Sequence, residues 1–209
     1  MPLDRIAARL RQRTTPVQRA AFLSCFFAGY LIHLFAFTNI IPNSDGLSRV
    51  FDLQQMTVSG RWFLHYASYL NAFTQMPALI GFFSMVFLSL AAAGVAAALN
   101  LHSRSLAAFA GVLMAAFPCL GYTFLYMFTA SPYCLAIFLA LLAVCLAKNG
   151  GSRRTLTAVL LLALSMGIYQ AYAAVAVAVS LLVVLRECLN TRATRKAAAC
   201  LGFRVASFL

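Results

Sequence analysis

The chain has 209 residues, of which 63% are hydrophobic and only 10% charged, and its mean hydropathy is +0.88. That balance excludes a soluble globular domain and a disordered chain, both of which need far more polar surface. The net charge of +12 would point to nucleic acid if it lay on a soluble domain, but the basic residues flank apolar runs, so membrane lipid is the expected partner and nucleic acid is not.

Taken in order, the chain divides into a basic amino-terminal segment, residues 1–20, and one transmembrane domain, residues 21–209. A span needs about 20 mostly apolar residues. The first runs from Ala21 to Ile41 with only His33, Thr38 and Asn39 as notable polar groups. It is too long for a signal-peptide core and lacks a small-residue cleavage site, so it reads as retained. The second runs from Ala78 to Leu99, and the third from Leu106 to about Leu125, where Pro118 and Gly121 should kink or shorten the helix. The fourth is Pro132 to Ala147. The fifth, from near Thr155 to near Tyr169, and the sixth, roughly Tyr172 to Leu185, leave room between them only for a tight turn. Ala197 to Leu209 reads as the start of a seventh. The predicted fold is therefore all-α: a polytopic membrane helix bundle of about six transmembrane helices plus the start of another.

Charge sets the orientation. Arg5, Arg9, Arg11, Arg13 and Arg19 precede the first span, and Arg104, then Lys148, Arg153 and Arg154, then Arg186, Arg192, Arg195 and Lys196 occupy every second loop. The intervening loops carry only Arg49 and Arg61. The positive-inside rule then puts the amino terminus in the cytoplasm and the long loop 42–77 outside. The six Cys and three His residues show neither a CxxC pair nor metal-ligand spacing, so no disulfide framework, metal site or cofactor is expected.

A long loop in an otherwise economical chain is usually functional. Asn43-Ser44-Asp45-Gly46 is a turn and helix-cap signal, after which Leu47, Val50, Phe51 and Leu53 can line a short interfacial helix. A second amphipathic piece follows Gly60, with Trp62, Phe63, Tyr66 and Tyr69 at headgroup level and Arg61 and His65 towards water. The chain has four acidic residues in all, of which only Asp45 and Asp52 fall outside. An acid or base at that face is one of these two, with His65 as the fallback. Asp45, Arg49 and Asp52, at i, i+4 and i+7, share a helix face, a spacing that equally describes a solvated ion-pair ladder. Arg61, in Gly60-Arg61-Trp62, has the forked donors to grip a lipid-linked phosphate, or simply a headgroup. Tyr169 and Gln170 can bind sugar hydroxyls or join helices. Tyr122, Phe124, Tyr126, Phe128 and Tyr133 read as an interfacial belt or a carbohydrate contact.

Asn43-Ser44-Asp45-Gly46 after a first span, Gly60-Arg61-Trp62 in the same loop, Ser131-Pro132-Tyr133 opening a span and Ile168-Tyr169-Gln170 closing another together resemble the type II glucosyl transferase family. These are bacterial inner-membrane proteins of O-antigen glucosylation and serotype conversion. The resemblance covers about residues 20 to 209 and implies an amino-terminal part of a longer enzyme. It implies a C-type glycosyltransferase architecture, a polyprenyl-phosphate sugar donor carrying glucose, and a lipid-linked glycan acceptor. On this sequence it makes Asp45 the general base, Arg61 the stabiliser of the departing phosphate, and Tyr169 and Gln170 sugar-positioning residues. Ser131 stands near where the resemblance leads one to look for a further acid, which leaves Asp52 as the second if two are needed. The rival expectation is a non-enzymatic transporter or flippase of lipid-linked sugars, which calls for charges or broken helices at midplane.

Overall fold

In the computed structural model, residues 12, 14–41, 59–70 and 76–190 are described. Among them every regular element is helical. Helix α1 spans Pro16–Ile32 and α2 Leu34–Thr38; α3 is the short Leu64–Ala67, continued by a 3-10 turn at Ser68–Leu70. Then come α4 (Pro77–Ala98), α5 (Arg104–Ala115), α6 (Pro118–Leu125), α7 (Met127–Lys148), α8 (Ser152–Ile168), a 3-10 turn at Gln170–Tyr172, and α9 (Ala173–Asn190).

The starts follow from local chemistry. Thr15 and Gln18 form a reciprocal capping box ahead of α1, with Pro16 in the first turn. Ser103 caps α5 through the Leu106 N–H. Three helices, Pro77–Ala98, Met127–Lys148 and Gln170–Leu189, are long and apolar enough to cross a membrane, and the bent pair α5–α6 makes a fourth if counted as one span. Helices α1 and α8 occupy the expected first and fifth positions at 17 residues each. The expected seventh span lies outside the described residues.

The predicted kink of the third span is a 44° bend between α5 and α6. Pro118 brings no N–H and forces Phe117 into an extended conformation, φ −64° and ψ 126°, which stops α5 at Ala115 and restarts the helix at Pro118. The first span is also broken, at His33, and the two breaks face each other: His33 Nε2 lies 2.9 Å from the Ala115 carbonyl oxygen. A carbonyl only accepts, so the imidazole proton in this contact sits on Nε2. His33→Leu should leave that carbonyl without its donor and lower stability by about 1–2 kcal/mol. An unchanged unfolding midpoint in mixed micelles would show that the contact contributes nothing.

Helix α1 packs along α5 and α4, α4 along α7, and α7 against α8. Small residues set the α1–α5 spacing: Ala21, Cys25, Ala107 and Ala115 are fully buried, and a methyl group on Gly111 would press on the Ala21 carbonyl and the Ser24 hydroxyl. Phe124 departs from the expected aromatic belt. It is 1% exposed, with its ring 4.7 Å from that of His33 and 4.9 Å from that of Phe37, because the bend turns the inner face of α6 onto the broken first span. Helix α7 begins five residues before the expected Pro132, which lies inside it.

The bundle has two chemically distinct ends. At one, Lys148 Nζ donates to the carbonyl of Ala98, the last residue of α4 (2.7 Å), and Arg186 to that of Asn100, just past it (3.2 Å). At the other, tyrosines gather around Arg61.

Candidate functional site

Residues 59–70 are held against the far ends of α7 and α8. Leu64 and Ala67 are buried with Ala136 and Ile168, flanked by Phe63, Tyr133, Tyr169 and Tyr172. Burying Leu64 contributes about 1.5–3 kcal/mol to this docking. The expected amphipathic piece after Gly60 is therefore a real helix, but one whose apolar side packs on the bundle. Trp62, Tyr66 and Tyr69 remain about half exposed, where a headgroup layer would lie.

Two backbone ties fix the segment. The Phe63 N–H donates to the Gly167 carbonyl (2.8 Å), and Gln170 Nε2 donates to the Ser59 carbonyl (2.8 Å). Both depend on glycine. Gly60 has φ +77°, a left-handed conformation that side chains strain to adopt, and a methyl group there would collide with the Gln170 amide. A methyl group on Gly167 would lie 2.6 Å from Trp62 Cε2 and 2.9 Å from Phe63 Cβ, so the indole rests against bare backbone.

Between the ties, Arg61 folds inward, and in this it departs from the expected position towards water. Its Cζ lies 4.4 Å from the centroid of the Tyr169 ring, and Nη1 donates to the Tyr133 hydroxyl at 3.4 Å. Tyr169 stacks on Tyr133 (centroids 5.1 Å, planes 14° apart), and Tyr172 meets both edge-on at 5.6 and 5.8 Å. Cation–π contact of this kind contributes about 0.5–2 kcal/mol. It also orients the flat guanidinium, which a lysine ammonium in its place would not be.

Of the residues singled out from the sequence, the structure brings together Arg61, Tyr169 and, through Ser59, Gln170. His65 is on the same segment, with its ring edge-on to Tyr66 (5.4 Å) and Tyr69 (5.5 Å). Asp45, Arg49 and Asp52 lie outside the described residues. Two members of the cluster were not anticipated there: Tyr133, read as part of an interfacial belt or a carbohydrate contact, which meets Arg61 directly, and Tyr172, read only as the start of a span, which packs on Tyr133 and Tyr169. The signal for the second was the Tyr169-x-x-Tyr172 repeat at a junction between spans. Among the described residues no three of His, Cys, Asp and Glu gather as metal ligands.

The sequence model of one family, Glucosyl transferase GtrII, matches residues 34–208. The chain belongs to that family. The match begins at the first residue of α2 and takes in every element after it, including Arg61, the tyrosine cluster and both backbone ties. Membership in the GtrII family makes this a membrane-associated transferase of glucose, for which a sugar donor and a glycan acceptor follow in general terms. Comparison with curated proteins and with solved structures gives no match. For this GtrII chain the site is accordingly read from its own geometry.

Proposed function

We propose that this GtrII chain transfers glucose from a polyprenyl-phosphate donor to a lipid-linked cell-surface glycan, such as O-antigen, at the extracytoplasmic face of the bacterial inner membrane. The tyrosine-rich end of the bundle faces outwards and the end with Lys148 and Arg186 faces the cytoplasm, with the amino terminus. The observation that supports this reading most is Arg61, a guanidinium oriented by Tyr169 and Tyr133 at the end of an apolar bundle. That is where the phosphate of a membrane-embedded polyprenyl donor would lie.

The chemistry is a single displacement. Asp45 accepts the proton of the acceptor hydroxyl while that oxygen attacks the anomeric carbon from the face opposite the phosphate. The bond from the anomeric carbon to the phosphate oxygen breaks, the electron pair leaves with polyprenyl phosphate, and the configuration inverts. Arg61 stabilises the charge that grows on the departing phosphate. Asp52 is the second acid of the loop, Arg49 stands between the two acids in the sequence, His65 is the reserve base, and Tyr169 and Gln170 border the site.

The test is transfer of labelled glucose from polyprenyl-phosphate glucose to the native glycan, in membranes carrying the full-length protein. Transfer from this donor is expected, and nucleotide glucose should not replace it. Labelled lipid that crosses the bilayer without sugar transfer would instead establish a flippase.

A further inference from the structure

We infer that Gln170 is a positioning residue for the transfer, acting through Arg61 and not through the sugar. The inference rests on the reading of Arg61 as the ligand of the departing phosphate. The geometry behind it is a short antiparallel register between two stretches of chain. Ser59 meets Gln170 at 2.8 Å, Arg61 meets Tyr169 at 4.4 Å, and Phe63 meets Gly167 at 2.8 Å. Arg61 thus sits midway between two ties, and Tyr169 sits between the residues that make them.

The two ties differ in kind. Phe63 to Gly167 joins backbone to backbone and survives most substitutions. Ser59 to Gln170 depends on one side-chain amide, which occupies the space that Gly60 leaves by having no Cβ. Gly60 supplies the room and the left-handed turn, with φ at +77°, and Gln170 supplies the bond that holds the turn. Gln170 also follows Tyr169 directly, so the amide and the ring that carries the guanidinium leave adjacent backbone atoms. Without the amide, Ser59 and Gly60 lose this tie while Phe63 keeps its own, and the guanidinium is held less firmly at its angle on the ring. An amide donor committed to a carbonyl in this way serves the protein's own loop.

Trypsin cleaves after arginine only where the side chain is free to enter the protease, so cleavage of the Arg61–Trp62 bond reports on how firmly Arg61 is held, without any substrate. In the purified full-length protein, Gln170→Glu, which keeps the size of the side chain but replaces the donor with an acceptor, should raise the rate of tryptic cleavage at the Arg61–Trp62 bond several-fold. Gly60→Ala, whose methyl group displaces the amide, should do the same with Gln170 intact. Helix content by circular dichroism should be unchanged in both. In the transfer assay Gln170→Glu should lower kcat roughly five-fold, the size of one lost hydrogen bond, with the KM for acceptor glycan unchanged. Combined with Arg61→Lys, it should cost nothing beyond the single Arg61 change.

Cleavage at Arg61 that keeps its wild-type rate in both folded variants overturns the inference, as does a raised acceptor KM or a loss that multiplies with that of Arg61→Lys. Those results leave the transferase reading intact. Wild-type protein that transfers nothing, or that is indifferent to Arg61→Lys, removes the reading itself and the inference with it.

Discussion

Asp45→Asn in the full-length protein is expected to lower transfer of glucose to the glycan by about 10²–10⁴, the range that a positioned general base contributes. The amide is close in size to the carboxylate and keeps its acceptor oxygen, so insertion and folding should be preserved. What it cannot do is take the proton of an attacking hydroxyl. The loss should therefore fall on kcat, with the KM values for donor and acceptor little changed. The two candidate acids are separated by the matched Asp52→Asn variant. A carboxylate that only completes an ion-pair ladder with Arg49 contributes less than about 1 kcal/mol, so its loss should cost under roughly five-fold. If Asp52→Asn proves the more damaging of the two, the roles are reversed. If neither matters, His65 becomes the base.

The second large effect is expected at Arg61. Arg61→Lys keeps the charge but discards the planar fork and the stacking on Tyr169, and is expected to lower kcat by about 10², close to the loss on deleting one preorganised donor from an oxyanion site. A lysine that restores near-normal turnover would mean that only the charge matters, as for a nonspecific headgroup contact. Tyr169→Phe separates the two again, because the ring remains without its hydroxyl and should leave turnover nearly intact. The cation–π contact at 4.4 Å is to the ring itself.

What was legible in the sequence followed from periodicity and from proline. The ends of α4, α8 and the α5–α6 pair were close to those read from hydropathy, and Pro118 announced its own bend, while of the six spans expected three described helices, or four with the bent pair, are long and apolar enough to cross a membrane. The sequence was also sufficient to select Arg61, Tyr169 and Gln170 as residues of interest. It was misleading about Arg61, which the amphipathic pattern of residues 61–69 directs towards water. The helical pattern sees only its own segment, whereas the fate of Arg61 is decided by Tyr133 and Tyr169, far along the chain. Phe124 was misread for a related reason. An aromatic residue near a span end looks interfacial until a 44° bend turns it into the core. Tyr172 and Gly167 carried too little local signal: one is a tyrosine at the head of an apolar run, the other a glycine inside a helix whose purpose lies with Trp62.

Helices α8 and α9 are joined with almost no slack. Tyr169, extended at φ −158° and ψ 117°, is the one residue between Ile168 and the 3-10 turn that opens at Gln170. Connections between helices are ordinarily where chains gain and lose residues at little cost. Here one added residue after Tyr169 would rotate Gln170 by about 120° about the turn, swinging its amide away from Ser59 while the ring stayed beneath the guanidinium. A change of length at this junction should therefore cost more than exchange of one side chain for another, and the length of the joint matters to this arrangement as much as the residues in it.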